Sequence, residues 1–257
     1  MKHISTKTLT LLFFLIFMAT PSFAASFDHK HSEFDVLLKK YVSGGLVSYK
    51  GFQSDEVALT KYLDSLSKVS ESDYNTFSEK EKLAFLINAY NAFTIKLILD
   101  NYPISSITDI GSPISTLNLV RGTPWKKEFF TLLGKKRHLD WIEHEKLRKD
   151  FSEPRIHFAI VCASIGCPQL VAKAYTPKDL DTQLNEGKLN FLKDPKKNYY
   201  DKAKNTLYLS QIFNWFQGDF TKKGSLIEFV QVGFSDKIDP NANIKYLEYS
   251  WSLNERK

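Results

Sequence analysis

The chain has only two cysteines, Cys162 and Cys167, among 257 residues. Their C-x4-C spacing is not the C-x-x-C of thioredoxin-like proteins, which argues against a dedicated redox motif. No linker rich in proline, glycine or serine interrupts the sequence, and no low-complexity tract or internal repeat is present, so a single domain is expected. Concentrated positive charge is missing as well. Lysine and arginine outnumber the acids 35 to 29, a formal charge of +6. The doublets Lys126-Lys127, Lys196-Lys197 and Lys222-Lys223 are scattered, whereas nucleic-acid binders mass their charge on one face. No nucleic-acid partner is expected.

What is present begins with an export signal. Lys2 and Lys7 precede an apolar run from Leu9 to Ala19, broken only by Thr10 and ended by Pro21. Ser22 and Ala24 put small residues where a signal peptidase reads, so cleavage is expected before Ala25. The run is short for a permanent bilayer anchor. Residues 1–24 are therefore expected to be a signal peptide, and residues 25–257 one globular, periplasmic or secreted domain without a membrane span. The loss of Lys2 and Lys7 would lower the formal charge by two.

The strongest element lies at "SEKEKLAFLINAYNAFTIKLILD". Ser78 and Glu81 form an S-x-x-E capping box, and the residues from Leu83 to Leu99 are apolar on nearly every side. A helix apolar all round is buried, so this is expected to be the central helix. Further helices are read at "HSEFDVLLKKYV", "DEVALTKYLDSLSK", "LDWIEHEKLRK", "TPKDLDTQLNEGKLNFL" and "SQIFNWFQGDF". Strands are read around Gly134-Lys135 in "EFFTLLGKKRHLD", and in "RIHFAIV", "NTLYLS" and "IKYLEYSW". No regular βαβ rhythm appears. The expected class is α+β, a buried central helix with surrounding helices packed on a small, mostly antiparallel sheet.

Several polar residues stand out against this apolar pattern. Asn88 and Asn91 share a face of the central helix, where a buried amide needs partners. They either tie loop backbone to the helix or orient a catalytic group. Glu143 would complete a capping box with Asp140, whereas His144 can titrate near neutral pH and lies one turn before Arg148. On a strand from Arg155 to Val161, Arg155 and His157 would share one face and Ile156, Phe158 and Ile160 the other. Cys162 follows at the strand end. The cysteines could form a disulfide, ligate a metal with His157 and His144, or supply a nucleophile with a histidine base. A buried inert thiol is a fourth reading.

The blocks "AFLINAYNAFT", "LDWIEHEKLR", "RIHFAIVCASIGCPQL", "YTPKDLDTQLNEGKLNFL", "LYLSQIFNWFQGDF" and "YLEYSWSLN" occur in that order. Together they resemble the family known as "domain of unknown function 547", from about Phe34 to Asn254. The resemblance implies candidate positions and no established reaction. They are Asn88, Asn91, Glu143, His144, Arg148, Arg155, His157, Cys162, Ser164, Cys167, Ser210, Trp215 and Asp219.

The functional expectation is an exported thiol hydrolase or acyl transferase acting on amide or ester bonds. Cys162 would attack, His157 or His144 would take the thiol proton, and Glu143 or Asn88 would orient the imidazole. Arg155, Arg148, Asn91 and Ser164 would hold a small-molecule or peptide substrate, with no cofactor and no metal. The alternative is a non-catalytic binding domain with a Cys162–Cys167 disulfide.

Overall fold

The structure, a computed structural model, describes residues 27–111 and 123–256. The expected signal peptide lies outside the described residues. Helix α1 (Ser32–Tyr41) leads into a hairpin of β1 (Val42–Ser43) and β2 (Leu46–Val47). Helices α2 (Tyr49–Ser54), α3 (Glu56–Lys68) and α4 (Glu71–Thr76) follow and pack around α5 (Glu79–Leu99).

Helix α5 is the centre of the core, as its composition requires. Glu81 N–H donates to Ser78 Oγ at 3.3 Å, and Ser78 N–H donates to Glu81 Oε2 at 2.7 Å, closing the expected capping box. It is long and apolar enough to cross a bilayer, but 89% of its most apolar window is buried inside the fold. Burying an apolar side chain such as Phe85, Leu86 or Ile87 is worth roughly 1.5–3 kcal/mol, and all three are fully buried here.

The sheets are small. Strands β3 (Phe130–Leu132) and β4 (Lys135–Arg137) pair antiparallel. Leu133 and Gly134 both have positive φ, 51° and 75°, as a tight hairpin turn demands. Strand β5 (Tyr199–Asp201) pairs antiparallel with β6 (Thr206–Leu209), and β6 pairs parallel with β7 (Asn243–Tyr246). The class is α+β, with several small sheets in place of one. Helix α6 (Leu180–Leu192) starts later than Thr176, whose Oγ1 accepts the Asp179 N–H at 3.3 Å in a preceding turn. The expected helix at "SQIFNWFQGDF" is two short helical turns, Ile212–Trp215 and Gln217–Phe220.

One expected strand is absent. Residues Pro154–Phe158 of the "RIHFAIV" region form a 3-10 turn. Pro154 pre-sets the first helical φ, and Glu153 accepts the Arg155 N–H at 3.1 Å. Beyond the turn, Asn91 replaces a neighbouring strand. Its Nδ2 donates to Ala159 O at 2.9 Å and its Oδ1 accepts the Val161 N–H at 2.9 Å. Side chains of a 3-10 turn do not alternate between two faces. His157 is therefore buried, while Arg155 turns away to Glu153, Asn185 and Asp181.

The C-terminal segment is a strap rather than a long strand. Ile165 and Gly166 N–H groups donate to Ser252 O (2.8 Å) and Ser250 O (2.9 Å), and Asn254 N–H donates to Ala163 O (3.1 Å). Tyr49 Oη donates to buried Asn254 Oδ1 at 2.7 Å, so the strap joins the cysteine loop to the N-terminal helices. A Cβ on Gly166 would lie 2.8 Å from the Tyr249 ring and 2.9 Å from Ser250 O, so only glycine fits.

Candidate functional site

Glu143 and His144 lie in a π-helix, Trp141–Leu147, that continues into a helical turn at Arg148–Asp150. π-Helical turns are rare and frequent at functional sites. The expected capping box does not form. Asp140 is already helical and makes no cap bond. Glu143 instead enters the interior, where it is 8% exposed. Burial, with the nearby Asp140 charge adding, pushes its carboxyl up to about 7.

Next to it stands a second cluster. His157 Nε2 is 2.9 Å from Asp219 Oδ2, and the same oxygen accepts Arg148 Nε–H at 2.6 Å. Arg148 Nη1 lies 2.9 Å from His144 Nδ1, which as the acceptor holds that ring. The His157 hydrogen bond and the Arg148 contact hold the Asp219 carboxyl well below the ordinary carboxylate range. Burial lowers both histidines. A neutral His157 that donates Nε2–H to Asp219 leaves Nδ1 as a lone pair, 4.0 Å from Glu143 Oε1. Phe216 stacks on the His157 ring at 4.1 Å between centroids.

Glu143 and His157 open into a cleft of about 150 Å³. Asp140 lies at its wall, with Tyr90, Trp125, Trp215, Phe216, Tyr249 and Trp251 forming an aromatic lining. Trp215 and Trp251 stack at 5.8 Å, and Tyr249 sits 4.8 and 4.6 Å from them. The remaining wall is the disulfide. Cys162 and Cys167 are bonded at 2.09 Å, leaving no free cysteine among the described residues.

This arrangement corrects the expected thiol–imidazole pairing. Tyr249 Oη and Ser164 Oγ are hydrogen-bonded to Cys162 Sγ at 3.2 and 3.3 Å, and no histidine is. His157 is engaged by Asp219 and His144 by Arg148. A zinc site using both cysteines is likewise ruled out by their mutual bond. Among the described residues no group of three or more His, Cys, Asp or Glu is placed to hold a metal ion.

The asparagines act on backbone. Asn88 Nδ2 donates to Tyr175 O at 2.7 Å, and its Oδ1 accepts the Tyr175 N–H at 3.0 Å. Asn91 clamps Ala159 and Val161 in the same way, which holds the chain just before Cys162. Neither asparagine lines the cleft, and Arg155 faces a different surface. Ser164 supports Tyr249 at 3.1 Å, and Ser210 N–H donates to Asn198 Oδ1 at 3.1 Å. Of the expected set, Glu143, His157, Cys162, Cys167 and Trp215 meet at the cleft, Asp219 and Arg148 order His157, and His144 is held by Arg148.

Sequence reasoning by residue type alone missed Asp219, Asp140 and most of the aromatic lining. Asp219 and Trp215 were marked only by the family resemblance. Tyr249 and Trp251 carried a usable signal, because residues two apart on an extended segment share a face.

No curated protein and no solved structure matches this chain. Residues 74–192 match the family described as "Protein of unknown function, DUF547". That stretch contains α5, the π-helix, the cysteine loop and α6, and stops short of Asp219 and the C-terminal strap. From Tyr74 to Leu192 the chain is therefore similar to the DUF547 family, as its sequence blocks indicated.

Proposed function

We propose that the cleft is an acid–base hydrolytic site centred on Glu143, acting on an amide or ester bond next to a small ring-bearing or apolar group. The observation that carries this reading is the position of Glu143. It is a buried carboxyl with a pKa near 7, in the wall of an open cleft and facing the His157 lone pair. Proton transfer is most efficient when the group's pKa lies near the working pH. The ionised carboxylate takes a proton from water as the water oxygen attacks the carbonyl. The protonated acid then returns that proton to the departing nitrogen or oxygen. Asp219 fixes the His157 ring so that Nδ1 faces Glu143 and supports its protonated form. The aromatic walls receive the apolar part of the substrate, and about 150 Å³ suits a single ring or end group.

Export from the cytoplasm is part of this proposal. The basic start, the apolar run from Leu9 to Ala19 and a disulfide all favour an oxidising compartment. Secreted protein beginning at Ala25, read by intact mass, is the expected result.

A panel of chromogenic esters and anilides tests the activity across a pH series. The expected outcome is hydrolysis by the wild type that Glu143→Gln abolishes while folding is retained. Direct titration of Glu143 by infrared or carbon NMR should show a midpoint near 7, and an ordinary midpoint near 4.5 removes the basis of the reading. A binding domain is the second reading, favoured by the aromatic lining. Under it, panel compounds raise the melting temperature of the wild type and of Glu143→Gln alike, and neither turns over.

A further inference from the structure

A second cleft, of about 260 Å³, lies behind the acid–base cluster. It is bounded by Arg155, Lys188, Lys222 and Lys223, with Glu153 and Asp219 as its acids, so four cationic groups face two carboxylates. Both carboxylates are already engaged. Glu153 is bound by Arg155, and Asp219 by Arg148 and His157. Lys222 reaches Asp219 Oδ1 only at 3.7 Å. Lys188 and Lys223 make no ion pair or hydrogen bond through their ammonium groups among the described residues.

Lys188 is the informative member. It is half-buried, and its Nζ sits 3.8 Å from the centroid of the Phe229 ring. The ring face orders the ammonium without neutralising it. Burial and the neighbouring Arg155 both disfavour its charged form. A partly desolvated cation beside two further lysines calls for an anion. Lysines bind phosphate as compact point charges with rotatable donors, and a phosphate carrying up to two negative charges on one small group answers several such charges where a carboxylate answers one.

We propose that this cleft binds a phosphate group, free or as an ester, through Lys188, Lys222 and Lys223. The site is separate from the aromatic cleft, so the hydrolytic reading can fail without affecting it.

The test titrates the protein from Ala25 to Lys257 with inorganic phosphate at constant ionic strength set by potassium chloride. Melting temperature and phosphorus NMR line width are the readouts. The expected result is a saturable rise in melting temperature with line broadening. Lys188→Gln combined with Lys223→Gln should weaken binding by about a hundredfold, the equivalent of losing two charge-assisted contacts at about tenfold each. A rise that is linear in phosphate and equal in the double variant is the general salting effect, and overturns the proposal. If the double variant melts below the wild type, the line width still decides, because it reads binding directly. Co-sedimentation with phosphatidylglycerol vesicles, competed away by inorganic phosphate, identifies a lipid headgroup as the source. Saturable phosphate binding without co-sedimentation identifies a soluble phosphate or ester.

Discussion

His157 Nε2 and Asp219 Oδ2 are 2.9 Å apart, although 62 residues separate them in the chain. That contact fixes which face of the imidazole looks into the cleft. The cysteines are bonded to each other, and Cys162 Sγ has Tyr249 and Ser164, not His157, as hydrogen-bond partners. Arg148 shares the same carboxylate oxygen, so one acid orders a base on one side and a guanidinium on the other.

Replacing that acid should loosen the whole cluster. Asp219→Ala leaves His157 and Arg148 without their carboxylate, and breaking a part-buried pair of this kind costs about 2–3 kcal/mol. The native carboxyl is held below its ordinary range, so its stabilisation is complete above that range and is lost as pH falls through the folded value. Urea unfolding should therefore show a large wild-type-to-variant gap at neutral pH that narrows in strong acid. An equal gap throughout would show that Asp219 contributes packing alone.

Glu143 has the opposite sign. Its folded pKa, about 7, lies above the ordinary value of 4.5. Between those values the unfolded chain gives up a proton that the folded protein keeps, so stability falls as pH rises through the window and then levels off. Glu143→Gln removes this penalty. It should gain about 3 kcal/mol relative to wild type above neutrality, and nothing in acid below the unfolded value. Paired urea titrations in acid and in mild alkali check it.

The cysteines should be oxidised in exported protein. Iodoacetamide without reductant should add no mass, and after reduction it should add two labels. Replacing both by serine opens a loop of six residues, which the chain-entropy estimate puts at about 2 kcal/mol. The cleft wall should loosen with it, because Tyr249 Oη also contacts Cys167 Sγ at 3.1 Å. Tryptophan fluorescence of Trp215 and Trp251 reports that change.

Asn91 is a structural clamp, and its removal should act on stability first. Asn91→Leu orphans the carbonyl of Ala159 and the N–H of Val161 in a buried setting, at about 1–3 kcal/mol for each group. Hydrogen exchange at Val161 should speed up markedly. Unchanged protection there would mean that the 159–161 segment is held by something else.

Much of the fold was legible in the sequence, because its signals are local. The Ser78–Glu81 box, the all-round apolarity of α5 and the glycine turn between β3 and β4 each depend on residues within a few positions. The segment after Pro154 was misread because its apolar, β-branched composition fits a strand, while the side chain of Asn91, 68 residues upstream of Ala159, supplies the hydrogen bonds a strand would need. Glu143 was read as a cap for a similar reason. Its spacing from Asp140 satisfies the rule, but a π-helical turn directs it inward.

By itself the sequence determined the class, the central helix, the short list of polar residues that must find partners and the two cysteines close enough to pair. Only the tertiary structure decided which partners they found. It gave His157 to Asp219, Asn88 and Asn91 to backbone, and Cys162 to Cys167. The physical reason is burial. A polar group removed from water must be satisfied by whatever the packing brings within about 3 Å, and that neighbour is set by the whole chain rather than by the residues beside it.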